Sequence, residues 1–150
     1  MRILLQRVSE ASVTIDGTEK GSIGRGLLVL LGIASEDTQE DIDWLCGKLT
    51  RLRVFADQAG KMNLSIRDVG GEALVISQFT LHASTRKGNR PSYIQAAPPE
   101  KAIPLYEAFL QTLAGCLDQP VACGSFGADM QVALVNDGPV TLWIDSRERR

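Results

Sequence analysis

The sequence predicts a single compact α/β (or α+β) domain with several β-strands and two main helices. Three observations predict it. Residues 26–33 form an unbroken apolar run, the pattern of a strand covered on both faces. Two later segments repeat apolar residues at helical spacing. The remaining apolar stretches are short, rich in β-formers and bounded by glycine turns. A chain of 150 residues suits one domain, 1–150, and buries a core without cross-links.

Taken in order, residues 2–8 and 12–16 read as short strands, and residues 17–21 supply a turn. After the apolar strand, Thr38 is placed to cap a helix, with Glu40 and Asp41 in the first turn beside the positive end of its dipole. Ile42, Leu45, Cys46, Leu49 and Leu52 make one apolar stripe, which assigns Cys46 to the core and not to nucleophilic chemistry. Residues 57–61 form a turn, and residues 73–81 the next strand. A loop over 83–98, broken by Gly88, Asn89 and Pro91, leads to a second helix starting near Pro99 or Glu100. Tyr106, Phe109, Leu110 and Leu113 form its apolar face, Pro104 lies in its first turns or bends it, and Gly115 is the expected stop. Strands over 121–125, 130–135 and 140–145 follow, separated by turns at 127–129 and 136–139.

Composition narrows the function classes. Hydrophobic residues make up 44% and charged residues 23%, the balance of a soluble globular chain. No apolar run reaches membrane-spanning length, and the stretch from Met1 to Arg7 lacks the apolar core of a secretory signal. Cys46, Cys116 and Cys123 are odd in number and scattered, matching neither a disulfide framework nor a zinc pattern, so a reducing cytoplasm is expected. Gly24-Arg25-Gly26 opens a strand and not a helix, and no P-loop ending is present, so no nucleotide cofactor is expected. A single histidine, His82, is too few for a zinc site and has no acidic neighbour for a triad. It reads as a loop or rim residue.

The net charge of −2 argues against nucleic-acid binding by the whole surface. Its distribution is uneven. Residues 73–99 contain no Asp or Glu, yet carry His82, Arg86, Lys87 and Arg90, and the C-terminus adds Arg147, Arg149 and Arg150. A local basic face of this kind fits a phosphate-bearing partner, and equally a solvated loop.

Two segments remain that could carry chemistry. Ser77-Gln78-Phe79-Thr80-Leu81 crowds two hydroxyls and an amide at the end of an apolar strand. Buried polar groups there need partners, and a strand that ends in a pocket can turn backbone N–H groups toward a developing oxyanion. The other reading is an edge-strand end, with Thr80 present for β propensity. Asn136-Asp137-Gly138-Pro139-Val140-Thr141 carries a hairpin signal spoiled by a proline that cannot open a paired strand. It is either a plain turn or a device for presenting two carbonyls in one direction.

Together these two segments resemble the two signature motifs of the D-aminoacyl-tRNA deacylase (D-tyrosyl-tRNA deacylase) family. The likeness extends to the opening Met1–Val8 stretch, to Lys87-Gly88-Asn89-Arg90-Pro91-Ser92-Tyr93 and to the segment from Gly124 to Met130. The resemblance implies a β-rich homodimer that hydrolyses the ester joining a D-amino acid, or achiral glycine, to the terminal ribose of tRNA. It implies a cis Gly138–Pro139 bond whose carbonyls enter the partner's active site and crowd an L side chain. Ser77, Gln78, Phe79 and Thr80 would line that pocket, with no cofactor and no metal. The resemblance leaves open whether Thr80 attacks the ester, or whether backbone amides and the tRNA 2′-hydroxyl do the work.

The residues themselves favour backbone donors near Gln78 and Phe79. Thr80 has no base in its segment, whereas one oxyanion donor is worth roughly 3 kcal/mol. Charge alone assigns Arg86, Lys87 and Arg90 to the tRNA acceptor end. Two other readings fit the same residues: a non-catalytic tRNA- or RNA-binding module, and a hydrolase that uses Thr80 on a small ester.

Overall fold

The computed structural model describes residues 1–149, and Arg150 lies outside the described residues. Its elements are β1 (Arg2–Ile15), β2 (Thr18–Ile23), β3 (Gly26–Gly32), α1 (Gln39–Arg51), β4 (Phe55–Ala56), β5 (Met62–Leu64), β6 (Glu72–Ser77), α2 (Pro99–Leu117), β7 (Ala122–Cys123) and β8 (Gln131–Asp145). β1 is the spine. One edge pairs antiparallel with β3 and then β2, and the other pairs with β8 along nearly its full length. β6 runs parallel to β3, and the short β7 parallel to β6. The expected α/β fold is the observed one.

Local patterning explains most elements. β3 is buried on both faces, with Leu27 and Leu28 each almost fully covered. Leu27, Val29 and Leu31 join the core under the two helices, against Ile42, Leu45 and Leu49 of α1 and Phe109 and Leu113 of α2. Leu28 faces the other side, with Val8, Val13, Leu74 and Ile76, partly roofed by Met130, Val132 and Leu134. Thr38 caps α1 as its sequence suggests, its N–H donating to the Asp41 carboxylate at 2.9 Å. Cys46 is fully buried, and burial pushes its thiol far above the ordinary range, which leaves it inert.

The expected turn over 17–21 is mostly strand, since β2 starts at Thr18 and pairs with β1, and four more boundaries differ from expectation for a non-local reason. The two strands expected over 2–16 are one continuous β1. Its buried positions step from Leu5 to Val8 to Ala11, a break in alternation absorbed by register shifts against β8. β6 ends at Ser77, because β3 ends at Gly32 and offers no further ladder; residues Phe79–His82 instead form a 3-10 turn. α2 runs past Gly115 to Leu117, with Cys116 and Leu117 still packing on the core. Its cap comes from Asp118, which takes the left-handed conformation (φ 54°) that short polar side chains tolerate.

The fourth correction concerns residues 136–139, which are not a hairpin turn. The flanking segments do not pair with each other. Both pair with β1, Asn136 opposite Val8 and Thr141 opposite Gln6, so the intervening residues are pushed out of the ladder as one long bulge.

Candidate active site

Parallel pairing of β6 with β3 sets the position of the first motif. Ser77 makes the last ladder pair with Leu31, and the Gln78 N–H donates to the Leu31 carbonyl at 2.7 Å. The chain then turns sharply, with Leu81 N–H donating to the Gln78 carbonyl and Ala83 N–H to the Thr80 carbonyl. Phe79 and Thr80 open this turn, so their N–H groups have no acceptor within it. The Gln78 N–H, counted at the sequence level among the free donors, is already engaged. Its side-chain amide instead donates to the Thr80 hydroxyl oxygen.

Gly32 makes this arrangement possible. A Cβ at that position would stand 2.9 Å from Leu81 Cβ, 3.0 Å from the Gln78 carbonyl oxygen and 3.1 Å from His82 Cδ2. The turn therefore lies directly on the end of β3.

A cavity of about 270 Å3 opens beside the motif. Ser77, Gln78 and Phe79 form one wall, Ala97 and Ala102 of the α2 entry a second, and residues 126–130 a third. Thr80 is not on the wall and sits behind Gln78, half-buried. The lining is mostly apolar with a polar edge, the character of a small-molecule subsite. Sequence reasoning assigned no role to Phe126, Ala97 or Ala102. Only Phe126 had a hint, through the quoted likeness of the segment from Gly124 to Met130.

The second motif lies elsewhere. Gly138 and Pro139 do not line this cavity within one chain; they cap the exposed bulge of β8. Their peptide bond is cis, as the resemblance implies. Asn136 closes the bulge from within. Its Oδ1 accepts from the Val140 N–H at 2.8 Å, and its Nδ2 donates to the Thr141 hydroxyl at 3.1 Å and to the Val140 carbonyl at 3.3 Å. Arg7, the one residue of β1 facing the excursion, donates to the Asp137 carbonyl at 2.8 Å and to the Val54 carbonyl. Gly138 has φ of +150°, and a Cβ there would strike Val140 at 2.8 Å, so only glycine fits. Neither Arg7 nor Asn136 was singled out from sequence.

The basic loop is better ordered than its composition suggests. Ser84 and Ser92 exchange two backbone hydrogen bonds of 2.8 and 2.9 Å, pinching residues 84–92 into a hairpin-like loop. Arg86, Lys87 and Arg90 are exposed on it, outside the cavity wall. Arg147 and Arg149 do not extend that surface, and Arg150 lies outside the described residues. Arg147 pairs with Glu36 and Asp37, and Arg149 with Glu40, so their charge is locally compensated.

His82 is a correction too. It is not a rim residue but is only 4% exposed, folded by the turn onto Gly32. Among the described residues its Nε2 has no hydrogen-bond partner. Burial holds its pKa below the ordinary value despite a hydrogen bond at the Gly32 backbone, and nearby Arg2 adds to the effect.

Comparison with known proteins decides the family. Residues 4–145 match the family model described as D-Tyr-tRNA(Tyr) deacylase. The chain belongs to the D-aminoacyl-tRNA deacylase family. Its members are hydrolases of a carboxylic ester, and the resemblance seen in the two motifs is thereby confirmed. A relative named D-aminoacyl-tRNA deacylase from Akkermansia muciniphila is 60% identical over 149 residues, covering 99% of each chain. One of the same name from Thermomicrobium roseum is 60% identical over 150 residues, covering 100% of this chain and 97% of its own. Among solved structures, the c-Myc DNA Unwinding Element Binding Protein superposes with a TM-score of 0.91 at 43% identity, covering 97% of this chain and 98% of its own. A probable eukaryotic D-amino acid tRNA deacylase shares the fold alone, with a TM-score of 0.83 at 18% identity. Among the described residues, no helix of this deacylase-family chain is long and apolar enough to cross a membrane.

Proposed function

We propose that this chain hydrolyses the ester of D-aminoacyl-tRNA, and of mischarged glycyl-tRNA, and spares the L-aminoacyl ester. The observation that carries the reading is the turn at Phe79 and Thr80. The Phe79 N–H, on the wall of an apolar cavity of about 270 Å3, and the Thr80 N–H behind it find no acceptor within the turn, in a chain of this family. A carbonyl placed against those donors is stabilised as it becomes an oxyanion. Water then attacks the carbonyl carbon, the ester C–O bond breaks, and the ribose oxygen leaves with a proton from solvent or the neighbouring ribose hydroxyl.

Thr80 serves as an orienting group in this scheme. Its oxygen already accepts from the Gln78 amide, so one lone pair is engaged, and among the described residues no general base hydrogen-bonds to it. An aminoacyl ester is reactive enough that positioning and oxyanion stabilisation suffice.

Chiral choice is assigned to Gly138 and Pro139 acting in a homodimer. The bulge does not reach the cavity of its own chain, so the gate must be supplied by a second copy. The exposed Val135 and Trp143 on β8 give that copy an apolar surface to cover. Arg7 on the Asp137 carbonyl and Asn136 on the Val140 N–H and carbonyl hold the backbone on both sides of Gly138 and Pro139, and rejection of one hand needs a contact that cannot relax. Arg86, Lys87 and Arg90 are assigned to the phosphates of the acceptor end.

The test is incubation of the purified protein with D-tyrosyl-, L-tyrosyl- and glycyl-tRNA. Release of D-tyrosine and glycine with the L ester intact is the expected result. All three esters surviving would point instead to a binding module, the reading favoured by the name of the 43%-identical unwinding-element binding protein.

A further inference from the structure

The aromatic pair at the cavity edge has no use in the reaction as described. Phe79 lines the site and is still 55% exposed. Tyr93, 38% exposed, meets it edge to face, with ring centroids 5.0 Å apart and planes at 73°. Ile94, 88% exposed, follows directly. Three large apolar side chains held in solvent at one place call for an occupant.

Their setting identifies it. On one side lies the cavity, since Phe79 is part of its wall. On the other lies the loop pinched by Ser84 and Ser92, where Arg86, Lys87 and Arg90 stand exposed and no acidic residue occurs from 73 to 99. An open aromatic face bordered by cations and lacking carboxylates is the recognition chemistry of single-stranded nucleic acid, in which bases stack and phosphates follow the positive surface. An uncharged peptide or lipid surface would not require the run to be free of acid.

We propose that Phe79 and Tyr93 form a stacking platform for the unpaired nucleobase immediately preceding the esterified terminal nucleoside. The inference rests on the functional reading above and adds a subsite to it. With the terminal nucleoside in the cavity, the next base lies over the pair, and the connecting phosphates pass toward Arg86, Lys87 and Arg90. The T-shaped contact fixes the Phe79 ring beforehand, so a base that stacks on it loses little freedom to an unsettled partner. Stacking is tolerant of base identity, which suits an enzyme acting on many tRNAs.

The experiment compares wild type, Tyr93→Ala and Tyr93→Trp on three substrates. These are D-tyrosyl-tRNA, the same tRNA with an abasic penultimate nucleotide, and D-tyrosyl-adenosine. Tyr93→Ala is expected to lower kcat/KM on intact tRNA by about tenfold, chiefly through KM, with Tyr93→Trp restoring it. The alanine variant should match wild type on the abasic tRNA and on D-tyrosyl-adenosine. Equal losses on all three substrates would mean that Tyr93 only props the turn, and the proposal fails. No loss on intact tRNA overturns it as well. Dissociation of the Tyr93→Ala protein in sedimentation, with activity lost in parallel, would assign the pair to contact with a second copy instead. If wild type cleaves none of the three substrates, the functional reading falls and takes this subsite with it.

Discussion

Replacing Gly32 by alanine probes whether the seating of the 3-10 turn on β3 governs turnover. The new Cβ would lie 2.9 Å from Leu81 Cβ and 3.0 Å from the Gln78 carbonyl oxygen, where carbon contacts settle at about 3.5–4.0 Å. Neither neighbour is the free end of a flexible side chain, so the turn itself must move, by roughly 0.5–1 Å. Misplacement of about 1 Å at a reacting centre costs on the order of a hundredfold. A loss of roughly tenfold to a hundredfold in single-turnover deacylation of D-tyrosyl-tRNA is therefore expected. Overpacking should also cost about 1–3 kcal/mol, read as a lowered Tm. Gly115→Ala is the control. Its Cβ meets nothing within 4 Å, so helix propensity should raise stability by about 1 kcal/mol with activity unchanged. Full single-turnover activity in Gly32→Ala, with a Tm shift no larger than the control's, would refute the reasoning that the β3 end positions the site.

Four further outcomes are expected. Thr80→Ala should keep measurable deacylation, within about a hundredfold of wild type; total loss in a folded protein, together with a trapped acyl-enzyme from wild type, would make Thr80 the nucleophile. Asn136→Ala removes the bonds that close the bulge and should reduce D-over-L preference while costing about 1 kcal/mol of stability, so an unchanged preference contradicts its holding role. Neutralising Arg86, Lys87 and Arg90 to glutamine should lower the slope of log binding constant against log salt by roughly 2, and an unchanged slope removes them from the phosphate path. His82 has a folded pKa below its unfolded value, so the unfolded chain takes up the proton first as pH falls. Its contribution is thus present above about pH 6.5 and lost below it. The Tm of wild type should therefore fall more steeply than that of His82→Gln between about pH 7 and 5.5, and parallel curves would show that its burial is not felt.

Much of the fold was legible because burial leaves a local trace. A strand covered on both faces must be apolar at every position, and β3 is. A helix with one buried face must repeat at 3.6 residues, and Ile42, Leu45, Cys46 and Leu49 do. The two motifs were legible as unusual local chemistry, Pro139 beside a hairpin signal and polar side chains at an apolar strand end. Their meaning came from resemblance, which the family match bears out.

The rest depended on what lies beside each segment. Asn136 to Pro139 has the local sequence of a hairpin, yet β1 pairs with both flanks and converts the turn into a bulge held by Arg7 and Asn136. Residues 78–82 have the composition of a strand, yet β3 stops at Gly32, so the chain turns, frees the Phe79 and Thr80 N–H groups, engages that of Gln78 and buries His82. Arg147 and Arg149 add positive charge in sequence and find their carboxylates only in space. By itself the sequence determined most of the apolar core, where the helices lie and which two segments resemble the family's signature motifs. Tertiary structure alone decided where each motif points, because side-chain periodicity records only a segment's own faces. Edges, close approaches and cavity walls are made by residues distant in the chain.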